Sequence, residues 1–139
     1  MEYQLRRGIP VSTRTILIVD DSATIRTMLA AIVKGMGDYQ VVEATNGFEA
    51  LRFLHLGLDL ILTDINMPHI NGLELISYVR ANPLYKSIPV FIISTEGSAA
   101  YLEKGKQLGV NEYVVKPFSP PALRILMDRY LNQTPYQGA

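Results

Sequence analysis

The chain has 139 residues, 48% of them hydrophobic, with thirteen basic and thirteen acidic side chains and no cysteine. That length suits one domain with one core, and the balanced charge lacks the basic footprint of a nucleic-acid binder. The missing cysteines exclude disulfides, thiol chemistry and cysteine–zinc sites. No apolar stretch approaches the roughly 20 residues of a membrane span, so a cytoplasmic protein is the simplest expectation.

Residues 1–14 lack periodicity, carry Gly8 and Pro10, and have no continuous apolar stretch of the kind a secretory signal needs. They read as a leader, with Arg6, Arg7 and Arg14 on a solvated tail rather than a docking patch. Thr15 to Val19 is a short apolar run and reads as the first strand. From Ser22 to Met36, Ile25, Met28, Leu29, Ile32, Val33 and Met36 follow an i, i+3, i+4, i+7 stripe, which predicts a helix capped by Asp21 or Ser22 and ended by Gly35 and Gly37. A second strand is expected over Tyr39 to Ala44, a second helix over Phe48 to His55, and a third strand over Leu58 to Thr63. The stretch Asn66-Met-Pro-His-Ile-Asn-Gly72 is dense in turn residues.

A third helix should cover Leu73 to Arg80 and stop before Asn82-Pro83. Pro89 to Ile93 reads as the fourth strand, Ser98 to Leu108 as the fourth helix ended by Gly109, and Tyr113 to Val115 as the fifth strand. Ser119 caps the last helix, which has Pro120 in its first turn and runs to about Leu131. The expected organisation is a 1–14 leader, a single domain over 15–131, and a frayed tail over 132–139. Strand–helix alternation five times over predicts an α/β fold with a five-stranded parallel sheet and helices on both faces.

The chemistry lies where the strands end. Asp20-Asp21 follow the first strand, Asp64 the third, Ser94 the fourth and Lys116 the fifth. In open parallel sheets ligands bind outside the carboxyl ends of the strands, so these side chains should converge. Adjacent carboxylates repel one another, and Mg²⁺ together with an ammonium would relieve that repulsion. One Asp suffices for helix capping, so the pair favours a metal role. Asp64 can act as a nucleophile that forms an aspartyl phosphate, and Asn66 can offer its backbone carbonyl to the same ion. Lys116 suits a phosphoryl oxygen or Asp64; the plainer alternative is a salt bridge that only offsets the acids. Ser94 beside Thr95 is compatible with a turn residue, and Tyr113 with core or half-exposed packing. His55 and His69 do not form a pair at ligand spacing and read as surface histidines.

Four segments together resemble the response-regulator receiver domain, in its stand-alone, chemotaxis (CheY-like) form. They are Ile-Leu-Ile-Val-Asp20-Asp21-Ser, Leu-Ile-Leu-Thr-Asp64-Ile-Asn66-Met-Pro68 with Gly72, Pro89-Val-Phe-Ile-Ile-Ser94, and Tyr113-Val-Val-Lys116-Pro117-Phe118. The resemblance implies a flavodoxin-like fold, phosphorylation of Asp64, and Mg²⁺ held by Asp21, Asp64 and the Asn66 carbonyl, with Asp20 acting directly or through water. It implies that Lys116 contacts the phosphoryl group, that Ser94 closes over it, that Tyr113 swings inward as this happens, and that the Lys116–Pro117 peptide is cis. Thr95 stands where the family commonly has alanine, and its bulk would slow access. Asn66 and Glu96 flank the approach as polar residues do in members that lose phosphate quickly.

The expected function is thus a two-component response regulator. A histidine kinase or histidine phosphotransfer protein is the expected donor, and a separate protein, such as a motor switch or relay protein, the expected target. Three alternatives stand beside it. A Mg²⁺-dependent phosphatase with an Asp nucleophile usually has Asp-x-Asp after its first strand, which this chain lacks. An FMN module would suffer repulsion from Asp20 and Asp21. A receiver that acts as a binding module without phosphorylation would have no need of the intact set Asp20, Asp21, Asp64, Ser94 and Lys116.

Overall fold

The apolar runs identified above pair into one parallel sheet. The computed structural model describes residues 13–132; residues 1–12 of the expected leader and 133–139 of the expected tail lie outside the described residues. In chain order the elements are β1 (Thr15–Val19), α1 (Ala23–Lys34), β2 (Gln40–Ala44), α2 (Gly47–Leu51), β3 (Leu60–Thr63), α3 (Gly72–Ala81), β4 (Val90–Ser94), α4 (Ala99–Leu108), β5 (Glu112–Val115) and α5 (Pro120–Leu131). The sheet order is β2-β1-β3-β4-β5.

Alternation along the strands divides the core into two layers. Leu17, Val19, Ile61 and Ile92 face Leu75, Ile76 and Val79 of α3 and Ala50 of α2. Ile16, Ile18, Leu60, Leu62, Phe91 and Ile93 face Leu29, Ile32 and Val33 of α1 and Leu123, Met127 and Leu131 of α5. Burying each such side chain stabilises the fold by roughly 1.5–3 kcal/mol, which is why strand register follows the apolar pattern. Of the predicted stripe on α1, Leu29, Ile32 and Val33 are buried, while Met28 is 42% exposed at the margin.

Element ends follow their caps. Ser22, not Asp21, caps α1, accepting from the Ile25 amide. That leaves the Asp21 carboxylate outside the helix's own hydrogen bonding. Asn46, Asn71, Ser98 and Ser119 cap the other helices in the same way, and Asn71 forms a reciprocal capping box with Glu74. The expected second helix over 48–55 is shorter: α2 stops at Leu51, and Leu54–Leu56 form a separate 3-10 turn that ends on left-handed Gly57. The tighter turn keeps Leu54 in the core while the chain reverses toward β3.

The order places β1 beside both β2 and β3. At this position the connections leave in opposite directions, and a crevice opens at the carboxyl ends of β1 and β3. Asp20 and Asp64 stand at its two sides.

Candidate functional site

Asp20, Asp64 and Lys116 each lie one residue past a strand, yet their backbones remain in the ladder. The Asp20 amide donates to the Ala44 carbonyl (3.1 Å), the Asp64 amide to Val19 (2.9 Å), and the Lys116 amide to Ser94 (2.8 Å). Each side chain is therefore carried on a backbone fixed by the neighbouring strand.

The carboxylates converge. Asp20, Asp21 and Asp64 each offer an oxygen, and these oxygens lie within 4.8 Å of one another. Asp20 is 2% exposed and Asp64 9%; Asp21 faces solvent. Lys116 reaches across from the edge strand, with Nζ 2.9 Å from Asp20 Oδ2 and 3.3 Å from Asp64 Oδ2. Burial works against its ammonium, but the hydrogen bond and charge of Asp20, reinforced by Asp64, outweigh that and hold its pKa above the ordinary lysine value. The remaining oxygens are also engaged: Asp20 Oδ1 accepts from the Ser22 amide (2.9 Å) and Asp64 Oδ1 from the Ile65 amide (2.7 Å). Three carboxylates against one ammonium leave an excess of negative charge, and the donor set is all oxygen. That arrangement fits a hard divalent cation.

The loop after Asp64 is packed against its backbone. The Thr63 hydroxyl donates to the Asp64 carbonyl (2.9 Å). Gly72 lies so close that a Cβ there would stand 1.9 Å from the same oxygen. Any side chain at 72 would push Asp64 out of place, which gives the Gly72 of the sequence motif a steric reason.

Ser94 is completely buried, and its hydroxyl accepts from the Glu96 amide at 3.2 Å. The Tyr113 hydroxyl donates to the Glu96 carbonyl. Its ring lies against Gly105 of α4, where a Cβ would meet the ring edge at 3.0 Å, and against the first core layer. Tyr113 is half-buried, packed on the core along one side and on α4 along the other. Glu96 joins Ser94 to Tyr113 through its main chain, while its carboxylate accepts from the Asn66 side chain (2.7 Å). Thr95 is exposed and, with Ile25, Met28, Lys116, Pro117 and Phe118, lines a groove of about 300 Å³ beside the ammonium. The Lys116–Pro117 peptide is cis. His55 and His69 are exposed and away from the acid cluster's ligand set.

Residues 16–128 match the response regulator receiver domain. The chain belongs to that family. A chemotaxis protein CheY homolog of Campylobacter jejuni is 38% identical over 126 residues, covering 89% of this chain and 97% of the relative. The chemotaxis protein CheY1 of Helicobacter pylori is 41% identical over 111 residues, covering 78% and 90%. Among solved structures, the chemotaxis protein CheY4 of Vibrio cholerae superposes with a TM-score of 0.79 at 36% identity, covering 86% of this chain and all of that one. The chain is therefore a receiver of the chemotaxis, CheY-like type: a phospho-accepting response regulator of two-component signalling, and a switch protein by class. No helix among the described residues is long and apolar enough to cross a membrane.

One contributor escaped the sequence reading. Arg26, on the second turn of α1, donates to the backbone carbonyl of Asp20 (2.8 Å) and to Glu43 (3.0 Å). A signal was present: an arginine near a helix N-terminus opposes the helix dipole unless anions lie close.

Proposed function

We propose that Asp64 is the phospho-acceptor and that Mg²⁺ is held by Asp20, Asp21, Asp64 and the Asn66 carbonyl. The convergence of three carboxylates with Lys116 at the β1/β3 crevice carries this reading. One Asp64 oxygen forms a bond to phosphorus as the N–P bond of a donor phosphohistidine breaks. The electron pair of that bond returns to the imidazole nitrogen. Asp20, Asp21, Asp64 and the Asn66 carbonyl would hold the Mg²⁺, whose charge would offset that of the incoming phosphoryl group so that two anions could meet. Lys116, already charged and close to Asp64, spreads the negative charge of the loose transition state. The Asp64 backbone, fixed by Val19, Thr63 and Gly72, keeps the attacking oxygen in place.

The donor is a histidine kinase or histidine phosphotransfer protein, and the chain catalyses its own phosphorylation and dephosphorylation without turning over an external substrate. Phosphorylation draws the Ser94 hydroxyl toward the new dianion and away from the Glu96 amide. Tyr113, bonded to the next carbonyl of that segment, shifts with it. The affected surface is α4, β5 and α5, where Leu102, Val115 and Ile125 are large apolar side chains in solvent. A separate cytoplasmic protein, a motor switch or relay component, reads that surface. Thr95 at the groove and the Asn66–Glu96 pair at the approach to Asp64 set how readily donor and water reach the acyl phosphate.

The test is direct. With acetyl phosphate and Mg²⁺, wild type should gain one phosphoryl mass and Asp64→Asn none. No gain in wild type, or an equal gain in Asp64→Asn, would remove the proposal and favour a binding module that works without phosphorylation.

A further inference from the structure

The acidic pair does not position itself. Asp21 is exposed and follows Asp20 at the start of the β1–α1 turn, so its direction depends on the peptide plane that joins the two residues. The carbonyl of that plane is the Asp20 oxygen, and Arg26 Nη1 donates to it at 2.8 Å. Arg26 Nε donates to Glu43 Oε1 at 3.0 Å, with the arginine side chain 16% exposed and the glutamate 42%. Glu43 precedes Ala44, whose carbonyl accepts the Asp20 amide. Both sides of Asp20 are therefore tied to the end of β2, its N–H directly and its C=O through the guanidinium.

An arginine beside three carboxylates has a second consequence, of opposite sign. By charge alone it competes with any cation that the acids would hold. To favour a bound cation, its geometric contribution must exceed that electrostatic cost, which the Glu43 carboxylate partly offsets.

We propose that Arg26, braced on Glu43, is a positioning residue that fixes the Asp20–Asp21 peptide and so raises the affinity of the acid cluster for a divalent cation. This deepens the metal-site reading above and rests on it. Lysine cannot substitute, because a single ammonium lacks the planar fork that meets a carbonyl and a carboxylate together.

Magnesium titration calorimetry of the full chain at fixed ionic strength tests the idea, with melting curves in EDTA to confirm folding. Arg26→Gln and Arg26→Lys should each bind Mg²⁺ about tenfold more weakly than wild type, in line with the loss of an outer-shell support. Glu43→Gln should also weaken binding, and Arg26→Gln/Glu43→Gln should be no weaker than Arg26→Gln alone. If the arginine acts only as a charge, Arg26→Gln binds more tightly, Arg26→Lys matches wild type, and the effects of Arg26→Gln and Glu43→Gln have opposite signs. Either of the first two results overturns the proposal. Should Arg26→Gln fail to fold, Arg26→Lys alone decides between the two. Wild type that binds no Mg²⁺ overturns the metal site itself, whereas wild type that binds while the variants follow charge overturns only the brace.

Discussion

Arg80 and Lys116 sit at opposite rims of the same sheet, and their surroundings differ in kind. At the amino-terminal rim, the Arg80 guanidinium donates to the carbonyls of Lys86 (3.1 Å), Ile88 (2.7 Å) and Gly109 (3.0 and 2.9 Å) and to Asn111 Oδ1 (2.9 Å). Arg14 and Asp59 pair one to one nearby, and Asp59 also takes the Thr15 amide. The five hydrogen bonds of the Arg80 guanidinium are all made within the chain. At the carboxyl-terminal rim one ammonium pairs with Asp20 and Asp64, and Asp21 adds a third carboxylate to the cluster. The first rim holds loops in place, and the second keeps a charge imbalance that only something from outside can settle. Strong charge near a protein interior is therefore not by itself a mark of function; an unsatisfied remainder is.

The largest effect should come from the closed rim. Arg80→Met leaves several carbonyls without their donor and should lower unfolding free energy by about 3 kcal/mol in urea titrations. Phosphoryl incorporation by the folded variant should stay close to wild type; a parallel loss would mean the rims are coupled. The open rim should respond to ions instead. Mg²⁺ at 100 times its dissociation constant should stabilise wild type by about 2.7 kcal/mol, measured as the difference between melts with Mg²⁺ and with EDTA, and Asp21→Asn should lose most of that gain. Gly72→Ala sits behind the open rim, where the new methyl would collide with the Asp64 carbonyl. It should cost about 2 kcal/mol and slow labelling of Asp64 as well, so that stability and chemistry fall together in the same preparation.

The smallest effect belongs to Tyr113. Tyr113→Phe removes one hydrogen bond to the Glu96 carbonyl and should cost about 1 kcal/mol. Burial, then the charges of Glu96, Tyr101 and Asp64, push the Tyr113 hydroxyl above the ordinary tyrosine value of 10.0. Above that value the unfolded chain has lost a proton that the folded chain still holds, so stability should decline as pH rises from about 10 through the folded pKa. Below pH 10 this group adds no slope. Alkaline melts of wild type and Tyr113→Phe should therefore converge, and parallel curves would show that Tyr113 is not the titrating group.

The open rim was largely legible from the chain. Parallel strands must all end on one side, so Asp20, Asp64 and Lys116 had to meet, and Ser94 had to end the strand between β3 and β5, once the apolar runs were recognised as strands. The cap residues carried the helix starts for a similar local reason. What stayed hidden depends on partners distant in sequence. Arg80 reads as a surface residue at a helix end, and its acceptors in the α3–β4 and α4–β5 loops have no periodic pattern that announces them. Arg26 and Glu43 lie on separate elements whose adjacency follows only from β1 pairing with β2. The break between α2 and the 3-10 turn arises from keeping Leu54 buried, a tertiary demand that the apolar spacing of 48–55 does not express.

The ladder bonds beneath Asp20, Asp64 and Lys116 involve only main-chain atoms. Each position is thus a peg whose hold on the sheet is indifferent to what hangs from it. Selection can rewrite the reactive groups at such pegs while the scaffold stays as it was, and a protein engineer can borrow the same freedom.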